Sequence, residues 1–206
     1  MKKIYQNPSR SLWEEICERP AIDDSTLEEL VAEVFNEVRA HGDKAIINYT
    51  QKFDGVSISK IELEDFQNSK NDEISDSLQR AIQRAYKNIY KFHKAQKTAQ
   101  IRVNTDYGVE CWQEKKPIEN VGIYIPGGSA PLFSTILMLA IPAKIAGCKN
   151  IILCTPPNKE GKIHPAILYT AKLCGVTAVM TVGGIQAIAG LTLGTESIPK
   201  VSKIFG

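Results

Sequence analysis

Two loops in this chain set a polar side chain beside paired glycines, and chemistry is to be sought there first. One reads Tyr124-Ile125-Pro126-Gly127-Gly128-Ser129, the other Val182-Gly183-Gly184-Ile185-Gln186. Glycine lets backbone approach a ligand closely, and the amides of Ser129 and of the turn that follows can donate to a phosphate. The same glycines equally suit tight turns that need positive φ. Tyr124 can stack on or hydrogen-bond a ligand, or pack half-buried as strand tyrosines do. The Gln186 amide, just after a Gly-Gly turn, can read a polar group or cap a helix. Neither loop carries a G-x-G-x-x-G run or a Gly-Lys-Ser/Thr, so neither is the dinucleotide fingerprint or a P-loop.

Elsewhere the reactive residue types do not assemble. The three histidines, His41, His93 and His164, fall on separate predicted helices or their ends. None has a His, Cys or carboxylate partner at a metal-ligand spacing, so they read as structural or solvated. The five cysteines, Cys17, Cys111, Cys148, Cys154 and Cys174, are odd in number and lack a C-x-x-C pair. They read as buried small hydrophobes in a reducing compartment. Cys148 and Cys154 stand near strand ends, but a nucleophile needs a basic partner and none is visible. No catalytic residue and no metal ligand is assigned within the chain.

The two glycine loops must be positioned by the elements around them. Val121, Ile123 and Ile125 form a strand stopped at Pro126. Leu132 to Ala146 is almost uncharged, as a helix packed on a sheet is, and Pro142 within it is expected to kink or split it. After Gly147, the continuous apolar run Ile151-Ile152-Leu153 suits a parallel strand covered on both faces. The alternation repeats: helix over His164 to Cys174, strand over Ala178 to Thr181, helix over Ile185 to Leu193, strand over Val201 to Phe205. The fold class expected is α/β, a doubly wound, Rossmann-like parallel sheet. In such sheets ligands sit outside the carboxyl ends of the strands, so Pro126 to Pro131 and Val182 to Gln186 should share one crevice.

The amino-terminal half has a different texture. Ser11 to Cys17 is a short helix ended by Pro20, and Ser25 with Glu28 forms a capping box. The helix it opens buries Leu27, Leu30, Val31, Val34, Phe35 and Val38 and ends at Gly42. Asp43 then caps Lys44 to Lys52, closed by Asp54-Gly55. Ser75 to Gln96 is a long helix with Leu78, Ile82, Ala85, Ile89 and Phe92 inward, and the run Lys91 to Lys97 faces water. Ile101 to Thr105 and Val109 to Glu114 make a hairpin about Asp106-Tyr107-Gly108.

Taken together, VGIYIPGGSAPLFSTILMLAIPAKIAGC, LYTAKLCGV, VGGIQAIAGLTLGTESIPKV and the terminal KIFG resemble the histidinol dehydrogenase family. EVRAHGDKAIINYTQKFDG and NIYKFHKAQ resemble its amino-terminal region, so the likeness runs through nearly the whole chain. The resemblance implies an aldehyde-dehydrogenase-like architecture and an enzyme that oxidises L-histidinol through L-histidinal to L-histidine with two NAD, zinc holding the substrate. It carries Tyr124 and Gln186 over as cofactor contacts. It also implies that the family's zinc ligands, its Glu-His acid/base pair and an Asn that follows Ile204-Phe205-Gly206 lie beyond the chain, which is then an incomplete, catalytically inactive amino-terminal portion. Ile185 and Gly190 depart from the family's usual Ala, and Gly190 should loosen its helix by roughly 1 kcal/mol. The family is a homodimer. The alternative is a non-catalytic nucleotide- or phosphate-binding module with Pro126 to Ser129 as a generic anion turn.

Composition sets the outer bounds. A net charge of +2 over 206 residues gives no footprint for nucleic acid. The start lacks the apolar run of a signal peptide, and Leu132 to Ala146 is too short and interrupted to span a bilayer, so a cytoplasmic protein with no membrane partner is expected. Three parts are expected: residues 1–22 as a helical arm, 23–120 as half of a first α/β domain, and 121–206 as a truncated NAD-side domain. A sheet lacking its neighbours should expose apolar surface near Ile204 and leave the piece marginally stable or self-associating.

Overall fold

The computed structural model describes residues 3–19, 25–63, 66–68, 74–127 and 131–206. A parallel sheet is built from β3 (Asn120–Tyr124), β4 (Asn150–Thr155), β5 (Ala178–Thr181) and β6 (Lys203–Phe205), in the order β5-β4-β3-β6. It is preceded by an antiparallel hairpin of β1 (Ile101–Asp106) and β2 (Val109–Gln113). The helices are α1 (Trp13–Cys17), α2 (Ser25–His41), α3 (Asp43–Asp54), α4 (Asp76–Ala95), α5 (Phe133–Ala146), α6 (Pro165–Cys174) and α7 (Gly184–Leu193). The expected α/β class and parallel sheet are both present. No helix among the described residues is long and apolar enough to cross a membrane.

Strands β3, β4 and β5 are covered on both sides, their successive side chains alternating between two packed faces, whereas β6 is exposed at Lys203 and Phe205. Ile151 and Leu153 join α4, α5 and α6 in one core, with Ile136, Ile141 and Ile167. Ile152, Cys154 and Met180 join α2, α3 and α7 in the other, with Val34, Ile46 and Leu191. Helices drawn from residues 25–95 therefore form the outer layer on each face. The β5 edge is closed by the Ile61–Leu63 segment, where Leu63 N–H donates to Val179 O at 2.8 Å and Thr181 N–H to Ile61 O at 2.7 Å. An edge covered in this way offers no template for further pairing.

Several local expectations are corrected. The α5 helix is not split and runs unbroken through Pro142. A proline removes one bond to the carbonyl four residues back, that of Met138, and Met138 is exposed, so water can take the freed oxygen. Asp43 does not cap α3; Gly42 is the residue before it, and Asp43 opens the helix. Its carboxylate accepts instead from the Thr195 hydroxyl at 2.6 Å and from the Ser197 hydroxyl at 2.5 Å, while its N–H donates to Glu196 Oε2 at 2.9 Å. Of the expected inward residues, Val34, Val38 and Ile82 are buried but Leu27 and Phe92, each near a helix end, are exposed. Cys17 and Cys111 are likewise exposed, while Cys154 and Cys174 are buried. The Ser25 side chain, Pro20, Gly128 and Ser129 lie outside what is described, and with them the capping box and half of the anion turn.

Candidate functional site

Strand order locates the site before any side chain does. From β3 the chain winds outward through β4 to β5, then returns by way of α7 to place β6 on the other side of β3. The order reverses between β3 and β6, and in an open α/β sheet the ligand crevice lies outside the carboxyl ends of the strands at that switch. The residues there are Tyr124 and Phe205-Gly206. They are close: a Cβ on Gly206 would stand 3.1 Å from Tyr124 O.

Tyr124 is half-buried, and its hydroxyl oxygen accepts the Gly184 N–H at 3.1 Å. That ties the end of β3 to the first residue of α7, whose unpaired amino-terminal N–H groups and dipole favour an anionic or acceptor group. Gln186, two residues on, is fully buried. Its Nε2 donates to Asp54 Oδ2 at 3.3 Å across 132 residues of sequence. Its Oε1 is buried with no hydrogen-bond partner among the described residues. A buried acceptor left unsatisfied costs about 1–3 kcal/mol, so such an atom asks for a donor. Sequence reasoning singles out Tyr124 and Gln186 but not Asp54, because nothing in local spacing links it to Gln186.

The two glycine loops do come together, but a third loop stands between them. A Cβ on Gly127 would lie 2.7 Å from Pro156 Cγ, and one on Gly183 would lie 2.5 Å from Pro156 Cβ. Gly183 has an ordinary φ of −120°, so what it needs is space; Gly184, with φ +60°, is the one that needs the left-handed region. A cavity of about 180 Å³ beside Gly127 is lined by Pro156, Asn158, Lys162 and His164, and Gly183 is not part of its lining. A larger cavity, about 500 Å³, lies at the other end of the sheet, between the hairpin base at Lys115 to Pro117 and the end of α5. Size favours that cavity; topology favours Tyr124, and topology is the better guide where the strand order reverses.

The other reactive types are accounted for locally. His164 Nδ1 accepts the Ala166 N–H at 3.1 Å and caps α6, His93 Nδ1 bonds Gln96 Oε1 at 3.0 Å, and His41 Nδ1 lies 3.2 Å from the Glu37 carboxylate. Burial pushes the Cys174 thiol up to about 12 and raises those of Cys148 and Cys154 as well, which keeps them protonated and poor nucleophiles. Among the described residues no group of three or more His, Cys, Asp or Glu could hold a metal ion, so these residues by themselves do not fit zinc.

Comparison with known proteins gives one consistent answer. The model of the family described as histidinol dehydrogenase matches residues 17–206. Histidinol dehydrogenase of Bacteroides thetaiotaomicron is 51% identical over 208 residues, covering 100% of this chain and 48% of its own length. That of Campylobacter jejuni is 48% identical over 206 residues, covering 98% and 47%. The crystal structure of histidinol dehydrogenase from Elizabethkingia anophelis superimposes with a TM-score of 0.91 at 52% identity, over 98% of this chain and 47% of that one. The chain thus spans about half the length of the curated relatives it matches.

Proposed function

The chain belongs to the histidinol dehydrogenase family, and from that premise we propose that it forms the NAD-side wall of an enzyme that, as a whole protein, oxidises L-histidinol through L-histidinal to L-histidine in histidine biosynthesis. The observation that carries the reading is the junction of Tyr124, the α7 amino terminus and the buried, unpartnered Gln186 Oε1 at the topological switch point. Tyr124 offers a ring face and a hydroxyl, the α7 terminus offers N–H groups, and Gln186 offers an acceptor; these suit the hydroxyl, phosphate and carboxamide groups of a dinucleotide. NAD supplies the hydride acceptor for the oxidation. What this chain's residues do is bind and orient it. Zinc, in this reading, is held by residues of the whole protein other than those described here.

Three further points go with the proposal. The whole protein works as a homodimer, and residues 23–120 are joined by strands from elsewhere in it, consistent with the hairpin's lack of cover. The division into 1–22, 23–120 and 121–206 follows that plan. The unpaired cysteines suit a reducing, cytoplasmic setting. These 206 residues alone are expected to bind NAD weakly and to turn over no histidinol. Calorimetric titration with NAD should give a measurable affinity that falls in Tyr124→Ala and Gln186→Ala. Unchanged binding in both variants sinks the assigned contacts, and NAD reduction by this chain with histidinol and zinc sinks the claim that it does not catalyse alone.

A further inference from the structure

We infer that Asp54 is a positioning residue for the crevice: it fixes the orientation of the Gln186 amide so that Oε1, and not Nε2, is presented to the ligand. The inference rests on the NAD reading above and adds to it what kind of group Gln186 recognises.

A buried primary amide has two ends of nearly the same shape, and only its partners decide which end points where. Among the described residues the Gln186 side chain has one partner, Asp54 Oδ2, and an ionised carboxylate accepts hydrogen bonds but cannot donate them. The Nε2 end must therefore face α3. The Oε1 end is turned away with nothing to accept from, although the residue is fully buried and a polar atom so placed is rarely left alone. It lies beside Gly184: a Cβ added there would stand 2.8 Å from Oε1. The Gly184 N–H holds the Tyr124 hydroxyl, so the free acceptor belongs to the same corner as the Tyr124 side chain. The group read by Gln186 is thus a donor, a ribose hydroxyl or a carboxamide N–H₂ of the dinucleotide, and not a phosphate oxygen. Asp54 can do this without disturbing its own helix, because Gly55, with φ +68°, ends α3 through its N–H to Gln51 O.

The test uses the full chain and the variants Asp54→Ala, Asp54→Asn and Gln186→Met. Two readouts are taken: the side-chain amide ¹⁵N–¹H signals of Gln186 without ligand, and the affinity for NAD. Asp54→Ala should shift the Gln186 amide signals and weaken NAD about tenfold, the effect of one hydrogen bond, while the backbone spectrum stays folded. Asp54→Asn keeps an acceptor at the same place and should restore most of the affinity. A role in stability alone would move neither the Gln186 signals nor the pattern of rescue. The inference is overturned if the Gln186 signals are the same in Asp54→Ala, or if Gln186→Met weakens NAD and Asp54→Ala does not. Absence of NAD binding by the unsubstituted chain overturns the functional reading instead, and the orientation of Gln186 is then decided by the amide signals.

Discussion

The hairpin and the parallel sheet are both β-structure, and they are held together in opposite ways. Every residue of β1 and β2 is exposed, whereas β4 is buried from Ile151 to Thr155. The hairpin lives on local terms: Asp106 Oδ1 accepts the Tyr107 N–H at 2.7 Å in the turn, Gly108 takes φ +76°, Arg102 pairs with Glu110 at 2.8 Å and its guanidinium lies 5.6 Å from the Trp112 ring. One of its faces gathers Ile101, Val103 and Cys111, all exposed. The sheet has polar ties at the strand starts, Asn150 to Asn120 at 2.7 Å and Lys149 to Glu119 at 3.1 Å, and is held chiefly by apolar burial on both sides. A strand's existence is thus set by its own residues, while its stability is set by what lies across it; an isolated hairpin is marginal in water.

The largest expected effect tests that contrast directly. Leu153→Ala, at a fully buried position, should lower the unfolding free energy by about 3–4 kcal/mol in chemical denaturation, through lost transfer energy and a cavity. Val103→Ala in the hairpin, at a position 50% exposed, should change it by less than about 0.5 kcal/mol. A hairpin substitution as costly as the sheet one would mean that the hairpin is covered in solution and the contrast false.

Next in size is the polar latch between the α2–α3 corner and the loop after α7. Asp43→Ala removes the acceptor of the Thr195 and Ser197 hydroxyls and should cost about 1–2 kcal/mol, with faster amide exchange at residues 195–197. Exchange unchanged in that loop would show the latch to be ornamental. Gly190→Ala sharpens the picture of the sheet's cover. Glycine weakens a helix by about 1 kcal/mol, but a Cβ there would stand 2.7 Å from Ile198 Cδ1 and 3.0 Å from Ile46 Cδ1, both in fully buried side chains. Overpacking outweighs the gain in propensity, so a net loss of roughly 1 kcal/mol is expected in thermal melts; a more stable variant would show that both isoleucines can step aside.

The smallest effect is one of pH. Desolvation raises the Asp54 carboxyl above its ordinary value, and the Gln186 hydrogen bond lowers it in part. The folded state therefore holds the proton more tightly than the unfolded one. The stability this contributes is complete below the ordinary carboxylate pKa and is lost as pH rises through the raised value. At neutral pH the ionised Asp54 is a mild burden, softened because the residue is exposed to solvent. Asp54→Asn should accordingly melt slightly higher than the parent at neutral pH, and the difference should vanish in acid. A difference that grows in acid would contradict the sign of the shift.

Much of this architecture was legible in the chain. The sequence places a strand at Ala178 to Thr181 with the bounds it has, and the helices around Pro165 and Asp76 differ from expectation by one residue at an end. Strict apolar runs and glycine stops leave little choice there, because they are local. Tyr124 and Gln186 stood out because each lies beside a glycine turn, and the resemblance to known sequences carried them further than their spacing could. What could not be read depends on distance along the chain. The partners of Asp43 lie beyond residue 194 and that of Asp54 at residue 186. No periodicity encodes such pairs, since either aspartate looks like a helix-end residue in its own neighbourhood. Phe92 differs for another reason: the half-buried stripe of α4 runs through Ile82, Tyr86, Ile89 and Tyr90 to His93, and leaves Phe92 on its flank.

Pro156 carries a consequence for variation in this part of the molecule. Its ring occupies the room that a side chain at Gly127 or at Gly183 would need, so residues in three separate loops share one volume. None of the three can be exchanged freely for a larger one while the other two stay as they are. The space of acceptable sequences at the mouth of the crevice is therefore not a product of independent choices, and a substitution harmless in one background is a collision in another.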